Sequence, residues 1–528
     1  MSDGGARHHR ARPLAAGAVG AGVSLATGEL ASAVAGATPS PLLAVGGRFV
    51  DRFAASLKEL AVAVFGTNDK PALVVGTIVI AVGLGAVAGA ASVRRPRLPW
   101  LVFGAFGAFG AWAQAADPRV GVATSVVVGL ASVVAGAGAT TWLVSSTGRP
   151  VRSDLDDKAD EATGSDGAAE VAASGEWSRR RFVLASGTLV ALGAGFVAAG
   201  RALAQGDVAG AARAIPLPRP LRRRPLPDTA EFDGAGVSPY VTPTEDFYRI
   251  DTALSAPRVD VDTWRLRVGG LVDDPFTLDL EELLALDSVE EVVTLQCVSN
   301  EVGGDLVGNA VWQGVPLRTL LERAGVRPAA EQVFSRSVDG WTCGFPLAAL
   351  DGDRPALVAY AMNGRPLPVE HGFPARLVVS GLYGYVSATK WLSEIELTTW
   401  EGADGYWVPR GWSKEGPIKL ASRIDVPRDG ARIERGPTVL GGVAWLPSVG
   451  VRRVEVSVDG GEWRRCRLAP VASEHTWVQW THTWDATPGA HELRVRATDD
   501  HGRLQVEAPS APDPNGATGY HRVEFEVA

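Results

Sequence analysis

Hydrophobic and polar positions are arranged in two different ways along the 528 residues of this chain. Up to about residue 205, apolar residues come in long, nearly uncharged runs. Four of them, Leu14–Ala37, Ala72–Val93, Leu98–Ala116 and Val120–Val144, have a length that predicts membrane-spanning helices. A fifth run, Phe182–Gly200, comes after a polar stretch. Between the first two runs, Phe49, Phe53, Leu57 and Leu60 recur at helical spacing and predict an amphipathic helix at the membrane surface.

Beyond residue 205 the long runs give way to short elements. Trp264–Val268 alternates as a strand. Leu278–Leu286 opens a helix with acids in its first turn, and Val315–Ala324 is an amphipathic helix stopped by Gly325. Glycine and proline punctuate the remainder, which predicts an α+β domain with a mostly antiparallel or mixed sheet. From residue 415 the period becomes two: Val454, Val456 and Val458 run into the turn Asp459-Gly460-Gly461. Leu493, Val495 and Ala497, then Val523, Phe525 and Val527, repeat the pattern and predict an all-β, immunoglobulin-like sandwich.

These shifts divide the chain into a four-helix transmembrane region (1–145), a cytoplasmic flexible linker (146–178) and a fifth transmembrane helix (179–205). A Pro/Arg-rich linker (206–239), the α+β domain (240–414) and the β-sandwich (415–528) complete it. The linker core Pro216–Pro227, PLPRPLRRRPLP, reads as an extended spacer. Basic residues at His8–Arg12, at Arg94, Arg95 and Arg97, and across Arg149–Arg181 mark the inside faces, so the fifth helix exports the C-terminal remainder of the chain. Ser178-Arg179-Arg180-Arg181-Phe182 resembles a twin-arginine export signal, and Ala202-Leu203-Ala204 has the form of a cleavage site. The expected location is the cell membrane, multi-pass, with the second half outside the cytoplasm. Glu29 is the one carboxylate inside a predicted span.

A net charge of −8 and the lack of a basic stripe argue against nucleic-acid binding. Three cysteines with no close pair exclude a CxxC zinc site and a disulfide scaffold; Cys343 and Cys466 read as buried and structural. No predicted span carries a histidine, so the anchor is expected to hold no haem.

Candidate chemistry gathers in the α+β domain. Cys297 ends an apolar strand-like run where Ser299, Asn300 and a Gly-Gly pair begin, a place suited to a soft metal ligand. Arg376 offers a planar donor fork and Lys390 a point charge for a phosphate; His371 and Ser387 add donors, with Gly381 and Gly384 permitting close backbone approach. The competing reading joins His371 and Arg376 to Glu370 and nearby acids in a structural salt-bridge network.

Three segments resemble the sulfite oxidase family of molybdopterin-dependent oxidoreductases. They are Phe247-Tyr248-Arg249; Cys297-Val298-Ser299-Asn300 with Asn309-Ala310-Val311-Trp312-Gln313-Gly314; and Asn363-Gly364-Arg365 through His371-Gly372-Phe373-Pro374-Ala375-Arg376 to Lys390-Trp391. The resemblance implies a molybdenum–molybdopterin cofactor with Cys297 as catalytic metal ligand. It implies cofactor contacts from Tyr248, Arg249, His371, Arg376, Ser387 and Lys390, and a dimerisation-type C-terminal domain.

The family's sulfite oxidases place two arginines after the Asn of the ligand motif, where this chain has Glu301 and Val302. A carboxylate there disfavours sulfite and favours a small neutral oxygen-atom donor or acceptor such as a sulfoxide. Further expectations are a separate electron-transfer partner, contact with membrane lipid, and a homodimer. A true sulfite oxidase is the alternative within the enzyme class; a cofactor-free membrane scaffold presenting an Ig-like module is the alternative outside it.

Overall fold

The computed structural model describes residues 4–36, 39–52, 69–146, 180–200, 202, 215–232 and 236–528. It separates into two compact units, Met1–Asp207 with Thr252–Pro257, and Val208–Asp251 with Arg258–Ala528. Most of the acidic linker, Ser178 and Arg179 of the export-like motif, Leu203 and Ala204 of the candidate cleavage site, and Phe53, Leu57 and Leu60 lie outside the described residues.

The first unit is helical. Gly4–Val34, Asp69–Ser92, Leu98–Ala115 and Val122–Ser146 form helices. Among the described residues, four stretches are long and apolar enough to cross a membrane: Ala11–Val34, Lys70–Ser92, Val122–Ser145 and Arg180–Gly200. The remaining predicted span is the 18-residue helix Leu98–Ala115, which closes on the polar Gln114. Small residues let the helix backbones approach closely: a Cβ on Gly17 would lie 2.0 Å from the Gly85 carbonyl oxygen, and one on Gly20 1.9 Å from Thr140 Oγ1. Glu29 accepts a hydrogen bond from the Ser40 hydroxyl, and Ser40 Oγ in turn accepts from Leu43 N at 3.4 Å, where the helical segment 41–52 begins. Glu29 therefore braces a helix start.

In the second unit, six strands form a mixed sheet in the order β1 (Arg222–Arg223), β4 (Val289–Gln296), β5 (Val307–Pro316), β8 (Ala356–Met362) and β10 (Arg376–Val379), with β9 (Arg365–Pro366) paired to β8. Strand β1 runs parallel to β4 and the other neighbours are antiparallel. Val293, Leu295, Trp312, Ala359 and Val378 on this sheet pack with Phe247 and Phe373 in one core. A five-stranded sheet has the order β3 (Phe276–Leu278), β2 (Leu266–Gly270), β11 (Leu392–Thr398), β6 (Gln332–Ser337) and β7 (Thr342–Pro346).

The predicted helices are present but shorter. Leu280–Ala285 starts with a capping box between Asp279 and Glu282, and Leu317–Ala324 ends at Gly325 with φ 67°. Val315 and Pro316, expected in that helix, finish β5, because strand pairing with β8 continues to Pro316.

The Pro/Arg-rich segment departs from the spacer expectation. Leu221 N donates to Ser288 O at 2.8 Å and Arg224 N to Glu290 O at 2.9 Å, which makes the segment an edge strand beside β4. Glu291, buried, accepts from Arg222 Nη2 at 2.7 Å and Arg224 Nε at 3.0 Å. A buried carboxylate needs such partners, and this strap supplies them.

The C-terminal region is β-rich. One sheet contains β12 (Ala421–Val426), β14 (Gly436–Trp445), β18 (Val478–Ala486) and β17 (Arg467–Leu468). The other contains β13 (Arg432–Ile433), β20 (His521–Val527), β19 (Gly489–Asp499), β15 (Val451–Val458) and β16 (Arg464–Arg465). Leu440 and Trp480 of the first pack with Val454, Leu493, Val495 and Phe525 of the second, so the two sheets share a core. Trp445, Trp477 and Trp480 are buried.

Candidate active site

Strand β4 delivers Cys297 to its end, with Val293 and Leu295 fully buried ahead of it. The loop beyond it is closed on itself. Cys297 N donates to Leu306 O at 2.9 Å and Asn300 N to Cys297 O at 3.1 Å, while Leu306 N donates to Asn300 Oδ1 at 2.8 Å. Asn300 therefore acts as the loop's internal brace, and Cys297 is 7% exposed. None of the three cysteines is disulfide-bonded. Burial pushes the Cys343 thiol up to about 11 and the Cys466 thiol up to about 12, in keeping with structural roles.

Tyr248 reaches the same place from the N-terminal side. Its ring stacks on Phe247 at 5.1 Å, and Phe247 meets Trp312 edge-on at 5.6 Å and His371 at 5.8 Å. The close packing requires Gly308, where a Cβ would lie 2.7 Å from the Phe247 ring. Burial, reinforced by the Cys297 charge and opposed by Arg376, holds the Tyr248 phenol well above its usual range, so it keeps its proton. Tyr383, fully buried, is raised to about 12, first by burial; a hydrogen bond from Lys419 N opposes the shift and the Cys297 charge adds to it.

His371, Arg376 and Lys390 converge around Gly372. That glycine has φ 111°, and a Cβ on it would lie 3.0 Å from Lys390 Cα and 3.1 Å from Arg376 Cβ, so only glycine permits this approach. His371 Nε2 is 3.0 Å from Thr244 O. Burial first, then Arg376, depress its pKa to about 4, opposed by the Thr244 hydrogen bond and assisted by Lys390 and Arg249. The imidazole is neutral near pH 7 and sits beside the cation Arg376.

Arg376 is 5% exposed and donates only to backbone, to His371 O at 3.2 Å and Leu377 O at 3.4 Å. Its guanidinium carbon lies 5.0 Å from the Trp312 ring. No carboxylate pairs with it among the described residues, and burial lowers its pKa to about 10. This excludes the expected alternative of a structural network with Glu370. Lys390 differs: its ammonium lies 2.6 Å from Asp251 and donates to Glu370 O at 3.1 Å.

Two residues of the predicted phosphate site make local contacts of their own. The Ser387 hydroxyl donates to Tyr383 O at 3.0 Å within its own turn. Gly381 has φ 80°, and its missing Cβ makes room for Arg354 and Ser448, so its conformation serves packing. Arg249 is exposed, as is Glu301. Asp251, Thr244 and Tyr383 were not identified from sequence; only their closeness to Phe247-Tyr248 and to Gly381 and Gly384 marks them.

A buried guanidinium with no carboxylate partner among the described residues, a neutral imidazole, a glycine cradle and a thiol at one strand end fit an anionic, metal-bearing cofactor. The family model described as the oxidoreductase molybdopterin binding domain matches residues 253–407. The uncharacterized oxidoreductase YuiH of Bacillus subtilis is 37% identical over 189 residues, 36% of this chain and 92% of that protein. The mitochondrial sulfite oxidase of Rattus norvegicus is 32% identical over 363 residues, 58% of this chain and 64% of that protein. The human one is 30% identical over 363 residues and is covered to 65%. The chain thus spans less than two thirds of the length of these sulfite oxidases. Among solved structures, the sulfane dehydrogenase SoxCD of Paracoccus pantotrophus aligns with a TM-score of 0.48 and 23% identity, over 56% of this chain and 85% of that one.

Proposed function

We infer, from the premise that this chain belongs to the sulfite oxidase family of molybdopterin oxidoreductases, that it is a membrane-anchored oxygen-atom-transfer enzyme. When bound, a molybdenum–molybdopterin cofactor supplies two-electron oxygen-atom-transfer chemistry. Cys297 Sγ ligates the metal. Arg376 holds the phosphate through its fork, Lys390 contributes charge, and His371 stays neutral and contacts the cofactor without adding a fixed charge. Tyr248 keeps its phenolic proton and offers it as a hydrogen-bond donor near the thiolate. The observation that carries this reading is Arg376, a buried cation with no carboxylate partner among the described residues.

The substrate is a small neutral oxo compound such as a sulfoxide, because Glu301 stands where an anion pocket needs arginine. One observation favours the second reading, a sulfite oxidase: Glu301 is exposed, so water screens its charge. The catalytic unit lies outside the cytoplasm behind a multi-pass anchor in contact with lipid, exported through the twin-arginine-like motif. Electrons pass to a separate partner, and the C-terminal Ig-like region serves a homodimer.

Metal and pterin analysis of protein purified from a molybdenum-replete host tests the assignment; the expected result is about one molybdenum per chain, and metal-free protein overturns it. Turnover assays with sulfite and with methionine sulfoxide then separate the two substrates.

A further inference from the structure

The C-terminal region makes a set of contacts that a dimerisation role does not require. Trp445, at the end of β14 and 1% exposed, donates from Nε1 to Gln296 Oε1 at 2.8 Å. Gln296 is the residue immediately before Cys297. Arg423 of β12 donates from Nη1 to Gly304 O at 3.0 Å, inside the loop that Cys297 opens. Arg423 is itself fixed by Asp425 Oδ1 at 2.7 Å and Ser238 Oγ at 2.8 Å.

His521 of β20 lies against Gly303, where a Cβ would come within 2.2 Å of the imidazole. Ile424 N donates to His521 Nδ1 at 2.9 Å, which leaves the ring proton on Nε2, the edge facing Gly303. Strand β12 thus supplies Arg423 and also orients His521. Three side chains from both C-terminal sheets grip the Cys297 loop at its start and its turn, while Asn300 braces it from within.

We propose that Trp445, Arg423 and His521 are positioning residues for Cys297, so that the C-terminal region is part of the catalytic machinery and sets the direction of the metal ligand. The bond between Trp445 and Gln296 is the most direct link, one residue from the sulfur. The proposal rests on Cys297 as the molybdenum ligand.

The test uses the full chain with W445F, Q296L, their double variant and R423K. In cofactor-loaded, partly reduced protein the readout is the molybdenum(V) electron paramagnetic resonance spectrum. In full chain from a cofactor-deficient host it is the rate of Cys297 alkylation by iodoacetamide. Each single variant is expected to shift the spectrum and to speed alkylation about fivefold, the factor one ordinary hydrogen bond is worth. The double variant is expected to change neither readout beyond the larger single, because both substitutions break one bond. R423K gives an independent arm if the tryptophan variant fails to fold. Unchanged spectra and alkylation rates in the variants, or additive effects in the double, overturn the proposal. A wild-type protein without any molybdenum signal instead overturns the ligand assignment, and the alkylation arm still decides the positioning claim.

Discussion

Lys390 and Arg376 approach the same glycine, yet Lys390 is paired with Asp251 at 2.6 Å while Arg376 meets no carboxylate among the described residues. The pocket therefore holds one neutralised cation and one that its own fold leaves uncompensated. An unpaired buried charge lowers stability until a ligand supplies the opposite sign.

Arg376→Met should separate stability from function. Replacing an uncompensated buried charge by an apolar chain of similar size is expected to raise the stability of cofactor-free protein, because no buried cation then lacks a counter-ion. The same variant should lose most of its pterin. Thermal melts of protein from a cofactor-deficient host, together with pterin content from a normal host, check both halves; a destabilised variant that keeps its pterin contradicts the assignment.

Asp251→Asn should act in the opposite sense. It removes the counter-ion of Lys390, so cofactor-free protein is expected to melt lower while the pocket becomes more positive and releases the anionic cofactor more slowly. Pterin retention during prolonged dialysis measures this, and faster loss than in the wild type argues against the electrostatic account.

Cys297→Ser tests the ligand alone. Arg376, His371 and Lys390 are untouched, so pterin is expected near its normal level while turnover falls below detection. A variant that retains wild-type turnover would remove the sulfur from the mechanism.

Acid should destabilise the catalytic unit through His371. Its pKa is about 4 in the folded chain and 6.5 when unfolded, so the unfolded state binds the proton first as pH falls. The stability that the neutral imidazole contributes is complete above pH 6.5 and is lost as pH drops toward 4, by up to about 3 kcal/mol. His475 and His521, also shifted down by burial, add with the same sign. Denaturant midpoints between pH 7 and 4 should fall more steeply in the wild type than in His371→Gln.

Local pattern carried much of this molecule into view. The alternation of Val454, Val456 and Val458 is strand β15, the apolar runs are helices, and the order of Cys297, His371, Arg376 and Lys390 marked residues that the fold brings into one region. What stayed hidden depends on partners distant in sequence. Trp445 and Gln296 are 149 positions apart and Asp251 and Lys390 are 139 apart; neither residue of either pair has a local spacing that signals the other. Ser387 reads as a donor to the ligand because its hydroxyl stands beside a basic motif; that its own turn also offers Tyr383 O at 3.0 Å is not visible from that spacing. The Arg-rich strap misled because two strand residues between prolines have the composition of a tether.

That strap also decides where the chain tolerates being cut. Without Leu221 to Arg224, the outer rim of β4 at its start, Ser288 to Glu290, would carry unsatisfied amides and carbonyls, and a bare sheet rim invites pairing with other chains. Processing at Ala202-Leu203-Ala204 would leave this cover in place. A nick between residues 224 and 240 would instead let the cover dissociate, leave Glu291 without its arginines, and turn release into aggregation.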